Sequence, residues 1–247
     1  GYSMGVPRID GYFGKCNPRN KKNYRTRSSA LISIKDFNIL IDSSPDVKHQ
    51  LLKNKITNIK KVFYTHMHAD QTHGINELRA FYLKNKEKID IYADKATSKY
   101  LKKNFKYCFN DSYGYPSILN LNKLKKKHIY KFKEKKITIE SIVVDHGKIK
   151  SILYVINNTC AYSSDVSKIT RKNISRLKNI KYFVIDCLRY NPHPSHFHLE
   201  EVLNLIKIIK PKKTILTNMN NEIDYSEIQK KLPKNVFPAY DGMSFLL

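Results

Sequence analysis

The stretch Thr65-His66-Met67-His68-Ala69-Asp70-Gln71-Thr72-His73-Gly74 decides which fold and chemistry to expect of this chain. Its first residue, Thr65, ends the run 61–65, a short apolar stretch typical of a buried β-strand. Because residues two apart in an extended turn point the same way, His66 and His68 can aim at one ion. Imidazole suits Zn²⁺, and a catalytic zinc site needs three protein ligands plus an open position for water. The block therefore predicts a catalytic metal site.

The remaining ligands must come from other strand ends. His146 lies in the turn Asp145-His146-Gly147, between two strand-like runs, and Asp165 follows the strand-like run 159–163. A lone His-x-His pair is weak evidence, since surface histidine pairs are common. His-x-His-x-Asp after a strand, with a His and an Asp at later strand ends, is much stronger. We predict that His66, His68 and His146 hold one Zn²⁺ and that Asp165 completes or bridges the site.

Strand-like and helix-like segments alternate from end to end. Residues 29–34 and 38–42 predict a hairpin, and 181–186 predicts a buried strand. Apolar residues at helical spacing predict helices over 45–53 and 199–209. The sequence shows no linker rich in Gly or Ser and no low-complexity segment. We therefore predict the α/β class and a single domain over residues 1–247, built from two similar halves.

The net charge of +25, from 46 basic and 21 acidic residues, is the most extreme bulk property. A field of that size attracts polyanions such as RNA. The alternative without a functional meaning is compositional bias. It is supported by the abundance of Lys, Asn and Ile and by the spread of the lysines along the whole chain. We favour compositional bias, with a preference for anionic substrates as its by-product.

Location is predicted from the cysteines and the apolar runs. The four cysteines form no CxxC pair, which favours reduced thiols in a cytoplasmic protein. No apolar run approaches the length of a membrane span, and no secretory signal is visible at the start. Because the chain begins Gly1-Tyr2-Ser3-Met4, we expect some N-terminal residues to be missing.

These residues resemble the metallo-β-lactamase superfamily over the whole chain, in the order Asp42, the 66–74 block, His146 and Asp165. Within it, the chain looks most like the phosphoribosyl cyclic phosphate phosphodiesterase group. The segments behind that likeness are Gly5-Val6-Pro7-Arg8, Arg25-Thr26-Arg27-Ser28-Ser29, Ile41-Asp42-Ser43-Ser44-Pro45-Asp46, His73-Gly74-Ile75-Asn76-Glu77-Leu78-Arg79 and Tyr240-Asp241-Gly242-Met243. The resemblance implies a four-layer αββα sandwich of the metallo-β-lactamase type.

Two departures from the family's pattern fall on a second metal position. The family's block usually ends Asp-His, whereas Gln71 follows Asp70 here. The family also has a Thr-His-Met-Ser-His-like segment near the C-terminus, which here reads Thr217-Asn218-Met219-Asn220-Asn221, so that Asn221 stands in the ligand position. What remains at that second position is the carboxylate of the metal ligand Asp70, with Asp165 as a bridge, and Gln71 and Asn221 as weak oxygen ligands. We therefore expect one firmly bound Zn²⁺ at the imidazole site. The second site is expected to be weak or empty, and better suited to Mn²⁺ or Mg²⁺.

Further roles rest on the resemblance and on loop position. His196 is expected to face the site as a proton donor or phosphate contact, although an exposed loop residue is an equal alternative. Arg8 and Arg27 could bind a substrate phosphate bidentately, although surface arginines are common. Asp70 is expected to orient the nucleophile, and Asp42 to organise a loop rather than bind the ion.

These expectations predict a metal-dependent hydrolase, a phosphodiesterase that cleaves a small cyclic or accessible phosphodiester through a metal-bound hydroxide. Two alternatives stay open. One is an RNA-processing nuclease of the same fold, which the charge suits although no RNA-gripping insertion is visible. The other is a catalytically silent protein that binds a metal or nucleotide, for which Gln71 and Asn221 are the evidence. The expected binding partner is a small phosphodiester substrate. No association with a membrane is expected, and a homodimer is a further possibility.

Overall fold

The computed structural model of the chain describes residues 1–111, 114–133 and 135–247. It groups into two compact units. The middle unit is Arg27–Leu124, and the terminal unit joins Gly1–Thr26 to Lys125–Leu247. The prediction of a single domain therefore stays a prediction.

The middle unit contains a five-stranded sheet with the order β1-β2-β3-β4-β5. Its strands are β1 (Ala30–Ile34), β2 (Phe37–Ile41), β3 (Lys61–Phe63), β4 (Ile89–Ala93) and β5 (Leu119–Lys123). Its helices are α1 (Val47–Lys53), α2 (Ala69–Thr72), α3 (Arg79–Asn85), α4 (Lys95–Asn104) and α5 (Lys106–Phe109), with a 3-10 turn at Ile75–Leu78. β1 and β2 form the predicted hairpin, and the other neighbours pair in parallel.

The parallel pairing in the middle unit brings two loops to one edge of its sheet. β2 and β3 pair with Ile41 opposite Phe63, so the chain leaves both strands on the same side. Asp42 follows β2 there, and the 65–74 block follows β3. Gly74 packs tightly beside Ser44, where a Cβ would lie 2.0 Å from the Ser44 carbonyl oxygen. Glycine is therefore required at the end of the block, because it lets the loops close on each other.

The terminal unit contains a seven-stranded mixed sheet with the order β12-β11-β10-β9-β8-β7-β6. Its strands are β6 (Lys127–Lys131), β7 (Lys136–His146), β8 (Ile149–Ile156), β9 (Cys160–Ser163), β10 (Tyr182–Asp186), β11 (Lys213–Thr217) and β12 (Val236–Pro238). Its helices are α6 (Arg171–Leu177), α7 (Leu199–Ile209) and α8 (Tyr225–Lys231), with a 3-10 turn at Lys21–Asn23. β6 to β9 pair antiparallel, and β9 to β12 pair in parallel.

Strand direction places four side chains at one edge of this second sheet. β9, β10 and β11 are parallel neighbours, and β7 runs in their direction because two antiparallel pairings separate it from β9. His146 ends β7, Asp165 follows β9, Asp186 ends β10 and Asn218 follows β11. We call this the carboxyl edge of the terminal unit. Ligand sites in open α/β sheets lie outside such strand ends.

Each unit has its own apolar core. Val62, Ile91 and Leu101 are fully buried in the middle unit, and Phe183 and Val202 in the terminal unit. The two mixed sheets with their helices confirm the predicted α/β class. None of the helices in the described part of the chain has the length and apolar character that a bilayer crossing requires.

Candidate active site

The His66 and His68 rings lie against each other. Nε2 of His66 lies 3.0 Å from Nδ1 of His68, with His66 buried and His68 exposed. Two nitrogens that each lie 2.0–2.1 Å from one tetrahedral zinc ion are about 3.3 Å apart. The pair therefore already has nearly the separation that two ligands of a single ion need.

A hydrogen-bonded relay fixes the His66 ring. Asp42 accepts from the backbone N–H of Thr65 at 2.7 Å and from its hydroxyl at 2.9 Å. The Thr65 oxygen lies 3.0 Å from Nδ1 of His66. The Thr65 hydroxyl donates its one hydrogen bond to the Asp42 carboxylate, so its oxygen accepts a hydrogen bond from Nδ1–H of His66. The Nε2 lone pair is thus directed to an ion. Asp42 acts on the imidazole through Thr65, as a loop organiser would.

Removing the Thr65 hydroxyl should loosen metal binding without abolishing it. In Thr65→Val, Nδ1 of His66 loses its acceptor, so the tautomer and ring orientation are no longer fixed. We expect zinc affinity to fall by about 10–100-fold, measured by competition with a chromophoric chelator. Thr65→Ser keeps the hydroxyl and should retain near-wild-type affinity. Equal losses in the two variants would contradict the relay.

Gln71 is a partner of Asp70 in the first turns after the histidine pair. Asp70 and Gln71 lie in α2, and the Gln71 side-chain amide donates to Oδ2 of Asp70 at 3.0 Å. The hydroxyl of Thr72 donates to the carbonyl of His68 at 2.9 Å, which ties α2 to the histidine pair. Gln71, predicted as a weak ligand of a second ion, thus holds the Asp70 carboxylate through its nitrogen. Its ligand role stays a prediction.

In the terminal unit, His146 is oriented by a backbone carbonyl. Its Nδ1 lies 2.6 Å from the carbonyl oxygen of Ser195, so Nδ1–H donates and Nε2 keeps its lone pair. The loops meet closely there, because a Cβ on Gly147, whose φ is +58°, would lie 2.8 Å from the Ser195 Cβ. One ligand atom each from His146, Asp165 and His196 lie within 4.8 Å of one another. Such a set can hold a metal ion.

His196 is paired with a fully buried carboxylate, Asp186, which the sequence analysis missed. Nδ1 of His196 lies 2.7 Å from Oδ2 of Asp186, which also accepts from the backbone N–H of Val166 at 3.0 Å. The pKa of Asp186 is raised to about 7, chiefly by burial and also by the nearby Asp165, although His196 and the backbone N–H of Val166 act to lower it. The pair can therefore hold a proton near neutral pH, with the Nε2 side of the ring facing away from Asp186.

Asn218, rather than Asn221, reaches the carboxyl edge. The Asn218 amide nitrogen lies 3.3 Å from Oδ1 of Asp165 and 3.2 Å from Oδ1 of Asp186. The backbone carbonyl of Asn221 accepts from the N–H of Lys15 at 2.8 Å, and its side chain packs on Gly14. Both asparagines follow β11, and Asn218 is the one whose side chain turns to these two carboxylates.

The two arginines predicted to bind substrate are already paired with carboxylates. Arg27 makes a bidentate ion pair with Asp46, with both contacts at 2.8 Å. Arg8 pairs with Asp10, two residues along the chain. Their contact with a phosphate stays a prediction, and each would first have to exchange its carboxylate for that phosphate.

The chain matches known proteins over most of its length. The domain model of the β-lactamase superfamily matches residues 37–219. The chain is 28% identical over 251 residues to an octanoyltransferase of Porphyromonas gingivalis, with 100% of this chain and 50% of that protein covered. The chain thus spans about half the length of this curated relative.

Solved structures resemble the chain over nearly its whole length. A diphosphatase from the PhnP family superposes with a TM-score of 0.88 at 26% identity, covering 100% of this chain and 95% of that one. Zn²⁺-bound PqqB from Methylobacterium extorquens gives 0.76 at 14% identity, covering 100% and 97%. The short form of human tRNase Z gives 0.67 at 15% identity, covering 93% and 95%. The last two likenesses show the fold alone.

Proposed function

Because the chain belongs to the metallo-β-lactamase superfamily, we propose that it is a divalent-metal phosphodiesterase acting on a small cyclic or otherwise accessible phosphodiester. The superfamily membership makes it a hydrolase of this fold. The observation that carries the finer proposal is the His196–Asp186 pair beside His146 and Asp165 at one sheet edge. A proton donor next to metal-binding side chains is what cleavage of a phosphodiester with a poor leaving group requires.

The ion would be held by His66, His68 and His146, with the carboxylate of Asp165. The donors fit, because His66 and His146 each have Nδ1 engaged by a fixed partner and Nε2 left as the ligand atom. Three imidazoles favour zinc over harder cations. When bound, such an ion lowers the pKa of a coordinated water to about 7 and so supplies a nucleophile at neutral pH.

The chain's own residues would then divide the proton transfers. Asp70, steadied by the Gln71 amide, accepts a hydrogen bond from the attacking water and orients it. The water enters as hydroxide, its proton having passed to solvent. As its oxygen bonds to phosphorus, the bond to the leaving oxygen breaks, and His196 gives that oxygen a proton. Asp186 stabilises the charged imidazole and keeps Nδ1 protonated. Arg8 and Arg27 remain proposed phosphate contacts at the rim.

A phosphorus substrate is supported by the PhnP-family likeness. That neighbour is described as a diphosphatase, and its 26% identity spans this whole chain. The net charge of +25 also favours an anionic substrate.

An RNA-processing nuclease is the second candidate, and a lysine-rich hairpin favours it. We call β6, the start of β7 and their flanks the lysine hairpin. Its exposed lysines are Lys125, Lys126, Lys127, Lys131, Lys133, Lys135 and Lys136. β6 is an edge strand, and Lys131 and Lys136 lie opposite each other in its register with β7. Lysines also protect exposed strand edges from aggregation, which is a purely structural role.

Charge reversal in the lysine hairpin separates the two candidates. We expect the zinc-loaded chain to hydrolyse an aryl phosphodiester and small cyclic phosphates. We also expect Lys127→Glu/Lys131→Glu/Lys133→Glu/Lys136→Glu to leave kcat/KM for them within about twofold, because distant exposed charges are screened. The matched control reverses Lys95, Lys99, Lys102 and Lys106 in the middle unit. A tRNA precursor cleaved far faster than small substrates, with a loss specific to the hairpin variant, would establish the nuclease instead.

A further inference from the structure

Asn218 makes an unusual set of contacts for an amide. It follows β11 with a left-handed backbone, φ +59°, and its side chain is buried. Its Nδ2 lies between two buried carboxylates, 3.3 Å from Asp165 and 3.2 Å from Asp186, and 3.4 Å from Nδ1 of His196. One amide nitrogen thus bridges the two acidic groups of the carboxyl edge.

The chemistry of the neighbours determines which end of the amide faces them. Carboxylate oxygens accept hydrogen bonds, so an amide oxygen in this position would face two like partial charges. The N–H end is therefore the one that points inward. An amide N–H has no lone pair to offer a cation, so Asn218 is not a metal ligand in this arrangement.

The Asn218 amide nitrogen occupies a position where the two neighbouring carboxylates would attract a cation. Asp186 is fully buried and Asp165 is 2% exposed, and buried carboxylates need hydrogen bonds or positive charge around them. In two-metal hydrolases a second ion, 3.5–4 Å from the first, supplies that charge. Here the positive end of the amide dipole lies between the two carboxylates, together with His196 at Oδ2 of Asp186.

We propose that the Asn218 amide takes the place of a second cation, so that the chain binds one divalent ion and not two. This rests on the proposed function, since it presupposes the imidazole site for the first ion. Asn218 is then a positioning residue. It holds Asp165 and Asp186 in place through one oxygen of each, so that the other oxygen of Asp165 can face the ion and that of Asp186 can hold His196.

The test counts ions in the chain of residues 1–247 with Mn²⁺ as the probe. The protein is stripped with a chelator, reloaded with excess Mn²⁺ and passed through gel filtration. Retained manganese is counted by mass spectrometry, and spin coupling between ions is sought by electron paramagnetic resonance. Asn218→Asp replaces the N–H donors with a third carboxylate, and aspartate tolerates the left-handed backbone. The control, Asn221→Asp, makes the same charge change against Gly14.

We expect one uncoupled ion in the wild type and in Asn221→Asp, and a coupled pair of ions in Asn218→Asp. Two ions in the wild type would overturn the inference and leave the proposed function standing, whereas no ion would overturn both. One ion in folded Asn218→Asp would also overturn it. If that variant does not fold without metal, Asn218→Ser removes the amide without adding charge. It should gain a weaker second ion, and failure to do so would count against the inference.

Discussion

Replacing His68 with alanine is expected to remove the bound ion and to lower kcat/KM for an aryl phosphodiester by about a thousandfold or more, about 4 kcal/mol of transition-state stabilisation. The physical reason is the donor count. Without the His68 ring the proposed set keeps two imidazoles, and a catalytic zinc site needs three protein ligands. Metal per chain and turnover should be measured on the same preparation.

His73→Ala is the matched control for this loss. His73 lies five residues further along the same block, and its Nε2 contacts the Tyr100 hydroxyl at 2.9 Å. This variant removes an imidazole from the same loop. The contact that it breaks is with Tyr100, which plays no part in the proposed chemistry. We expect the variant to keep both the ion and most of the turnover. Full turnover in metal-free His68→Ala would refute the metal-dependent mechanism.

The proposed site residues have one property in common, which is their position at or just after the end of a strand. His66 and His68 follow β3, and His146 and Asp165 lie at the ends of β7 and β9. Short apolar runs identify the strands in the sequence, and strands that run in the same direction within one sheet end at the same edge of that sheet. Strand ends were thus predictable because an apolar run is visible in a few consecutive residues. Hydrogen-bond partners depend on which strands lie side by side, and the local sequence does not show that order.

Asp186 and Asn218 were missed for that second reason. The sequence shows Asp186 only as the last residue of a buried run, and it shows three asparagines after β11 without indicating which one turns inward. The order β11-β10-β9 places both beside Asp165. A signal was nevertheless present, since a carboxylate that ends an apolar run must be buried and therefore needs donors. The pairing of Arg27 with Asp46 likewise joins residues nineteen apart.

Asp186→Asn is expected to lower kcat by about 10²–10⁴-fold while leaving the ion in place, because Asp186 is proposed to act on the leaving oxygen through His196. An amide cannot stabilise the charged imidazole as a carboxylate does. The alkaline limb of kcat against pH should therefore move to lower pH, because the protonated ring has lost its stabilising charge. The loss should also be smaller for substrates with a nitrophenolate leaving group, which needs little protonation.

Non-additivity decides whether Asp186 acts through His196 or by supporting the fold. If two residues work as a unit, removing the second costs no further activity once the first is gone. The kcat of His196→Ala/Asp186→Asn should therefore be no lower than that of His196→Ala alone. A structural role predicts the opposite, because loss of buried hydrogen bonds to Val166 and Asn218 would add its own cost in either background. Multiplied losses, or a metal content that falls with Asp186→Asn, would assign this carboxylate to the architecture of the carboxyl edge. The proton given to the leaving oxygen would then need another donor.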